Sequence, residues 1–277
     1  MRTDNVLITG ATSGIGLATA VGIAQRGATV TIVGRSPERC QVAVRKIKEQ
    51  SGNPRLDFLV ADLSLLSEIR RLAALVQERY PQLHVLVNNV GGLFLNGQVT
   101  QEGIEMTLAL NHLGYYLLTR SLYGLLKSSA PARIVNVASV AHLGARIDLP
   151  ALQFSGWKGY KRSKLANILF TYELARRAEG TGVTVNALSP GLVASNFGMN
   201  NSGLFPLVKP LIDVVAVSTA RGAETSIYLA CSPDVEGVSG KYFTRCKARR
   251  SSAVSYDRRV ATQLWDISAQ MTGLAAE

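Results

Sequence analysis

Tyr160 and Lys164 stand four residues apart in a stretch with helical patterning, so both side chains fall on one helix face. An ammonium beside a phenol favours the phenolate. The spacing therefore predicts a tyrosine pKa drawn from about 10 toward neutrality, and a side chain able to work as general acid or base. A tyrosine and a lysine so spaced also occur as an ordinary surface pair, so the assignment depends on their company. Ser139 follows the apolar run Ile134-Val135-Asn136-Val137-Ala138. A residue at the carboxyl end of a parallel strand faces the crevice where ligands bind, and a hydroxyl there could hydrogen-bond a substrate carbonyl oxygen. Asn111 lies inside a long helical pattern, where a buried amide can mark a water site.

A second group suits a phosphate-bearing ligand. The run Val6–Thr9 leads straight into Gly10, Ala11, Thr12, Ser13, Gly14, Ile15 and Gly16, and then into a helix. Glycines let backbone N–H groups approach a ligand, and the helix N-terminus beyond them favours an anion such as a pyrophosphate. The spacing is GxxxGxG rather than GxGxxG. The second strand ends Val33-Gly34-Arg35. Folds that use NAD place an acidic residue near this point to hold the ribose 2′-OH. A planar guanidinium instead suits a 2′-phosphate, which points to NADP(H). The alternative for Arg35 is a solvated residue at a helix start.

The elements that must position these groups alternate. Strand-like runs at Asn5–Thr9, Thr29–Val33, Leu56–Val60, Val85–Asn88, Arg133–Ala138, Thr184–Leu188 and Lys241–Thr244 are separated by helical patterns near Ile15–Arg26, Pro37–Gln50, Leu65–Arg79, Thr100–Lys127, Tyr160–Glu179 and Thr219–Ala230. This predicts one α/β domain over residues 1–277, with a doubly wound parallel sheet of about seven strands and helices on both faces. Ala194–Val217 is less regular and carries Phe197, Leu204, Phe205, Leu207 and Val208 among glycines and prolines. It reads as an apolar lid, which implies a fairly large apolar carbonyl or alcohol substrate.

Composition excludes other classes. The 277 residues are 47% hydrophobic and 18% charged, as in a globular chain with a large core. Three separated cysteines, with no CxxC pair, suggest neither a disulfide framework nor a zinc site. The three histidines have no metal-ligand spacing, so no metal is expected. No leader pattern or membrane-length apolar run is evident, so the expectation is a cytoplasmic protein without a transmembrane anchor. The net charge of +11 raises the question of nucleic acid, but no helix-turn-helix, zinc finger or basic-aromatic repeat supports it. Seven basic residues between Lys241 and Arg259 stand against Asp257 alone, which is over half of the surplus. A solvated surface is the simplest reading of that segment.

The ordered set Thr9-Gly10-xxx-Gly14-Ile15-Gly16, Asp62-Leu63, Asn88-Asn89-Val90-Gly91, Asn111, Ser139, Tyr160-xxx-Lys164 and Pro190-Gly191 resembles the short-chain dehydrogenase/reductase family from Val6 to about Gly273. The stretches Asn111–Thr119, Ser163–Asn167 and Gly240–Phe243 resemble its retinol dehydrogenase-like branch. The resemblance implies a single-domain Rossmann fold and an NADP-dependent oxidoreductase. In it Tyr160 would exchange a proton with the substrate oxygen, and Lys164 would hold the nicotinamide ribose hydroxyls and lower the phenol pKa. Ser139 would orient the substrate oxygen, and Asn111 would hold a water linking Lys164 to solvent. Asp62 and Leu63 would border the adenine, and Asn88 and Gly91 the adenosine side. Pro190, Gly191 and Val193 would pack by the nicotinamide, with Ser195 offering a hydroxyl to the carboxamide or a phosphate.

The chain departs from the branch at Val90 and Ser189, and it shows no membrane anchor like that of animal members. A soluble member with a substrate other than retinol is therefore expected. The resemblance also implies pairing through the helices near Tyr160–Glu179 and Thr219–Ala230 into a homodimer or tetramer, with monomers known in the branch. Two alternatives share the motifs: a C=C reductase like protochlorophyllide reductase, and a nonenzymatic NADP-sensing regulator.

Overall fold

A computed structural model describes residues 4–149, 152, 154–191 and 218–275. The strands are β1 (Asn5–Thr9), β2 (Thr29–Gly34), β3 (Leu56–Val60), β4 (Val85–Asn88), β5 (Ala132–Val137), β6 (Val183–Ser189), β7 (Lys241–Thr244) and β8 (Lys247–Arg249). They form one sheet in the order β3-β2-β1-β4-β5-β6-β7-β8. The first seven pair in parallel, as the alternating pattern predicts. The eighth is an antiparallel edge strand. Arg245 and Cys246, both with positive φ, make the tight turn into it. Only three residues long and rich in basic side chains, β8 had no strand signal of its own.

Among the described residues the helices are α1 (Gly14–Ala24), α2 (Pro37–Ser51), α3 (Leu66–Arg79), α4 (Met106–Leu108), α5 (Gly114–Ser128), α6 (Gly156–Arg177), α7 (Thr219–Cys231) and α8 (Arg258–Met271). Side chains alternate along each strand, so the buried sheet feeds two cores. Leu7, Leu86 and Ile134 join one, with α3, α5, α6 and α8. Val6, Ile8, Val85 and Val135 join the other, with α1, α2 and α7. That double coverage is why the strands are nearly all apolar.

Local signals set the helix ends. The Ser36 hydroxyl accepts from Arg39 N ahead of Pro37, and Gly52 closes α2 in the left-handed conformation. The pattern expected over Thr100–Lys127 becomes helical only at Met106. Val99 and Glu105 form a β-bridge, and the Glu105 carboxylate then caps the helix at Leu108 N. Between α4 and α5 the chain winds as a π-helix over Ala109–Leu113.

The C-terminal helix α8 lies on α6 and was not expected. It buries Ala261, Leu264, Trp265, Ser268 and Ala269. Trp265 stacks on Phe170 (5.9 Å, 22°) and meets Tyr116 edge-on (5.1 Å, 77°). The Arg120 and Arg177 guanidiniums lie over its ring at 4.8 and 4.4 Å. Helix α8 thus packs along α6, one of the two helices expected to meet a second copy. All seven basic residues between Lys241 and Arg259 are exposed. No helix among the described residues is long and apolar enough to cross a membrane.

Candidate active site

The order β3-β2-β1-β4 reverses the direction of winding at β1, which opens a crevice beyond the carboxyl ends of β1 and β4. The glycine turn sits there. Gly10 and Gly14 have φ of 66° and 58°. A Cβ on Gly16 would lie 2.4 Å from the Gly10 carbonyl oxygen, so only glycine lets α1 start this close to β1. Ser13 caps α1 without a side-chain bond, and the first turn carries no acid. The N–H groups of residues 14–16 therefore present a positive end that suits a phosphate.

Thr12 packs its methyl where a Cβ on Gly34 would stand, which brings the end of β2 against the glycine turn. Arg35 follows with an exposed side chain, its Nη1 3.9 Å from Asp62 Oδ2. Asp62 Oδ1 accepts from the Ser64 amide and hydroxyl at 2.9 and 2.7 Å. Leu63 is 3% exposed and belongs to the core, so only its backbone can border a ligand. Asn88 is also turned inward: its amide donates to Thr119 Oγ1 and Asn136 Oδ1, both at 2.9 Å.

The residue that shapes the crevice is its neighbour Asn89. Its amide donates to the carbonyls of Thr9 (2.9 Å) and Gly10 (3.1 Å), and its N–H donates to Thr9 Oγ1 at 2.9 Å. Thr9 Oγ1 also accepts from Val90 N at 3.1 Å. The ends of β1 and β4 are stapled together there. The doubled asparagine was the available signal.

The catalytic candidates converge at the next strand ends. Ser139 follows β5, and Tyr160 and Lys164 lie on α6. Their placement depends on Gly159, where a Cβ would fall 1.4 Å from the Phe154 carbonyl oxygen. Burial pushes the Tyr160 phenol up to about 12, against a smaller opposite influence of the Ser139 side chain. The Lys164 Nζ donates to the Val137 carbonyl at 3.0 Å and lies 5.8 Å from the ring centres of Tyr160 and Tyr115. Desolvation brings Lys164 down to about 8. The expected fall of the phenol toward neutrality is therefore corrected for the free protein. The lysine sits beside the ring and bonds a carbonyl, while burial disfavours both charged forms.

Asn111 lies in the π-helix and is fully buried. Its Oδ1 accepts from Gly92 N at 2.9 Å, and its amide donates to the Gly92 carbonyl (2.9 Å) and Ser163 Oγ (3.1 Å). It clamps the loop after β4. Gly91 is exposed beside it, and a Cβ there would come within 3.3 Å of Lys164 Nζ and 3.4 Å of Asn111 Oδ1. Pro190 and Gly191 leave β6, with Gly191 N donating to Ser189 Oγ at 3.3 Å. Val193, Ser195 and the expected lid 194–217 lie outside the described residues. No group of His, Cys, Asp or Glu among the described residues could hold a metal.

The cradle kept open by Gly10, Gly16 and Gly91, the uncapped start of α1, and Lys164 beneath the loop after β4 together fit a dinucleotide. Exposed Leu95, Val140, Leu143 and Trp157 rim the same end of the molecule, and Trp157 stacks on Tyr160 (5.5 Å, 23°).

Comparison with known proteins agrees with this geometry. The family model described as short chain dehydrogenase matches residues 4–203. The chain is 44% identical to retinol dehydrogenase 14 of Mus musculus, over 99% of this chain and 87% of that protein. It is 37% identical to retinol dehydrogenase 13 of Homo sapiens, over 98% and 85%. A crystal structure of an uncharacterized protein from Mycobacterium paratuberculosis superposes with a TM-score of 0.79 at 29% identity, covering 100% of this chain and 96% of that one. An actinorhodin polyketide ketoreductase variant, determined with NADPH, gives 0.69 at 27% identity, covering 87% and 95%.

Proposed function

The chain belongs to the short-chain dehydrogenase family and is retinol dehydrogenase-like, and from that premise we propose that it is an NADPH-dependent reductase of carbonyl groups on fairly large apolar molecules. The observation that carries the reading is the convergence of Ser139 and the buried Tyr160 at the strand ends, with the Lys164 ammonium against the tyrosine ring.

When bound, the cofactor supplies a hydride. The chain's own residues do the rest. A phenol held near 12 keeps its proton across the physiological range, so Tyr160 stands ready as the donor to a carbonyl oxygen. Ser139 stands at the same strand end, so an oxygen accepting from both hydroxyls would be fixed at one point. With its pKa near 8, Lys164 is mostly an ammonium at pH 7, and it stabilises negative charge that develops on the phenol as the proton leaves. Asn111 holds the Gly91-Gly92 loop against Lys164. Val193 and Ser195 are assigned to the nicotinamide end by resemblance to the family pattern.

An absorbance assay of NADPH consumption over a panel of aldehydes and ketones tests the reading. Turnover confined to NADPH with apolar carbonyls supports it, and binding without turnover across the panel overturns it in favour of a sensor.

Arg35 supports the cofactor assignment. Arg35→Asp removes a charge-assisted contact and adds repulsion at the same point. The expected result is a roughly ten- to hundredfold fall in the NADPH-over-NADH preference of kcat/KM. An unchanged preference would remove Arg35 from the 2′-phosphate.

Trp157 supports the substrate class. Trp157→Ala is expected to raise KM for bulky apolar carbonyls by roughly tenfold, because burying an aromatic surface contributes a few kcal/mol at most. KM for a small aldehyde should stay close to the parent value. Equal changes for both substrates would mean that Trp157 orients Tyr160 and does not touch substrate.

A further inference from the structure

A histidine that no step above uses holds the backbone of the proposed catalytic serine. His142 ends the 3₁₀ turn Val140–His142 and is 1% exposed. Its Nδ1 lies 2.6 Å from the Ser139 carbonyl oxygen, and its Nε2 lies 3.1 Å from Ser252 N. A backbone amide can only donate, so Nε2 is the acceptor and Nδ1 carries the hydrogen that bonds the Ser139 carbonyl. The tautomer is fixed from outside the ring. The ring edge also packs on Tyr242 of β7 (5.1 Å, 66°).

The abutment behind His142 is tied to the helix that bears Tyr160. Ser251 Oγ is 2.7 Å from the Tyr172 hydroxyl, and Tyr172 lies on α6 three turns beyond Tyr160. Ser251 Oγ is 2.6 Å from Ser255 Oγ, which donates to the Ser252 carbonyl at 2.6 Å. Ser251 N donates to the Tyr256 hydroxyl at 3.2 Å, and the Tyr256 ring stacks on Tyr172. One bracket thus runs from α6 through Tyr172, the 251–256 turn and His142 to Ser139. On the other side Ser189 Oγ accepts from Val140 N at 3.0 Å.

We propose that His142 is a positioning residue that sets the Ser139 hydroxyl against Tyr160, using the 251–256 turn as its fixed support. The proposal rests on the reductase reading of the site, and its test is therefore chosen to stand apart from turnover.

The test is a double-mutant cycle with His142→Ala and Ser139→Ala. It is read by the NMR shift of the Tyr160 ring carbon bearing the hydroxyl, a signal assigned with Tyr160→Phe. Each single variant is expected to move that signal in the same direction, and the double variant to move it no further than Ser139→Ala alone. His142→Asn, which keeps a donor at the δ position, should restore most of the parent shift. Should His142→Ala fail to fold, His142→Phe keeps a ring against Tyr242 and removes both nitrogens. It should move the signal in the same direction.

In turnover, His142→Ala should lower kcat by roughly ten- to hundredfold and leave KM for NADPH unchanged, because a misplaced catalytic group weakens the chemical step. In the Ser139→Ala background it should have little effect. Additive shifts in the cycle, or a parent-like signal in a folded His142→Ala or His142→Phe protein, would overturn the assignment. Absence of turnover together with a non-additive shift would sink the reductase reading while leaving the role of His142 intact.

Discussion

Tyr160→Phe is expected to lower kcat/KM for a carbonyl substrate by about three orders of magnitude, within the range for loss of a positioned general acid. The dissociation constant for NADPH should stay at the parent value, since the missing atom is a single hydroxyl. The fold should survive, because phenylalanine keeps the ring that stacks on Trp157 and loses only a buried hydroxyl, a change of about 1 kcal/mol. Steady-state kinetics and equilibrium cofactor titration on the same preparation decide the matter. Retention of more than roughly a tenth of the parent kcat would exclude Tyr160 as the proton donor, because general acid catalysis contributes at least about a hundredfold.

Lys164→Met is expected to separate stability from activity. Burial lowers the lysine from 10.5 to about 8, so below pH 8 the folded protein carries a destabilised ammonium. That difference corresponds to about 3 kcal/mol. A methionine removes it and loses only the bond to the Val137 carbonyl, worth about 1 kcal/mol, where the Tyr115 hydroxyl also donates at 3.3 Å. The cofactor-free variant should therefore unfold at higher denaturant concentration, by on the order of 1–3 kcal/mol, and should be inactive.

The pH dependence has a definite sign. Between pH 8 and 10.5 the unfolded chain holds a proton at Lys164 that the folded chain has released. The parent therefore gains stability as pH rises through that window, and the variant loses this contribution. A variant no more stable than the parent at pH 7, or one with the same pH slope, would show that Lys164 is not held at an energetic disadvantage.

Much of the site was legible because its signals are local. Tyr160 and Lys164 share a helix face by spacing alone, Ser139 follows a strand of apolar residues, and the glycines of the first turn are needed where backbone must meet backbone. The alternation of strands and helices likewise foretold the seven parallel strands, since a sheet covered on both faces needs runs such as Val6–Ile8 and Val135–Val137. The apolar positions Ala261, Leu264, Trp265 and Ala269 also carry a helical period, directly after the basic run that ends at Arg259. Asn88 and Leu63 were placed beside the ligand, and their side chains serve the interior.

Taken by itself, the sequence determined the family of chemistry: which residue can give a proton, which cation sits one helical turn away, and which turn can hold a pyrophosphate. Tertiary structure decided how those groups are tuned. The phenol stays protonated because desolvation outweighs a lysine that faces a carbonyl, and burial is a property of the whole fold. Asn111 grips Gly92 instead of standing free, and α8 packs along α6. His142 meets Ser252 across 110 positions of chain. No local pattern encodes such contacts, because they exist only once the sheet has brought distant strand ends together.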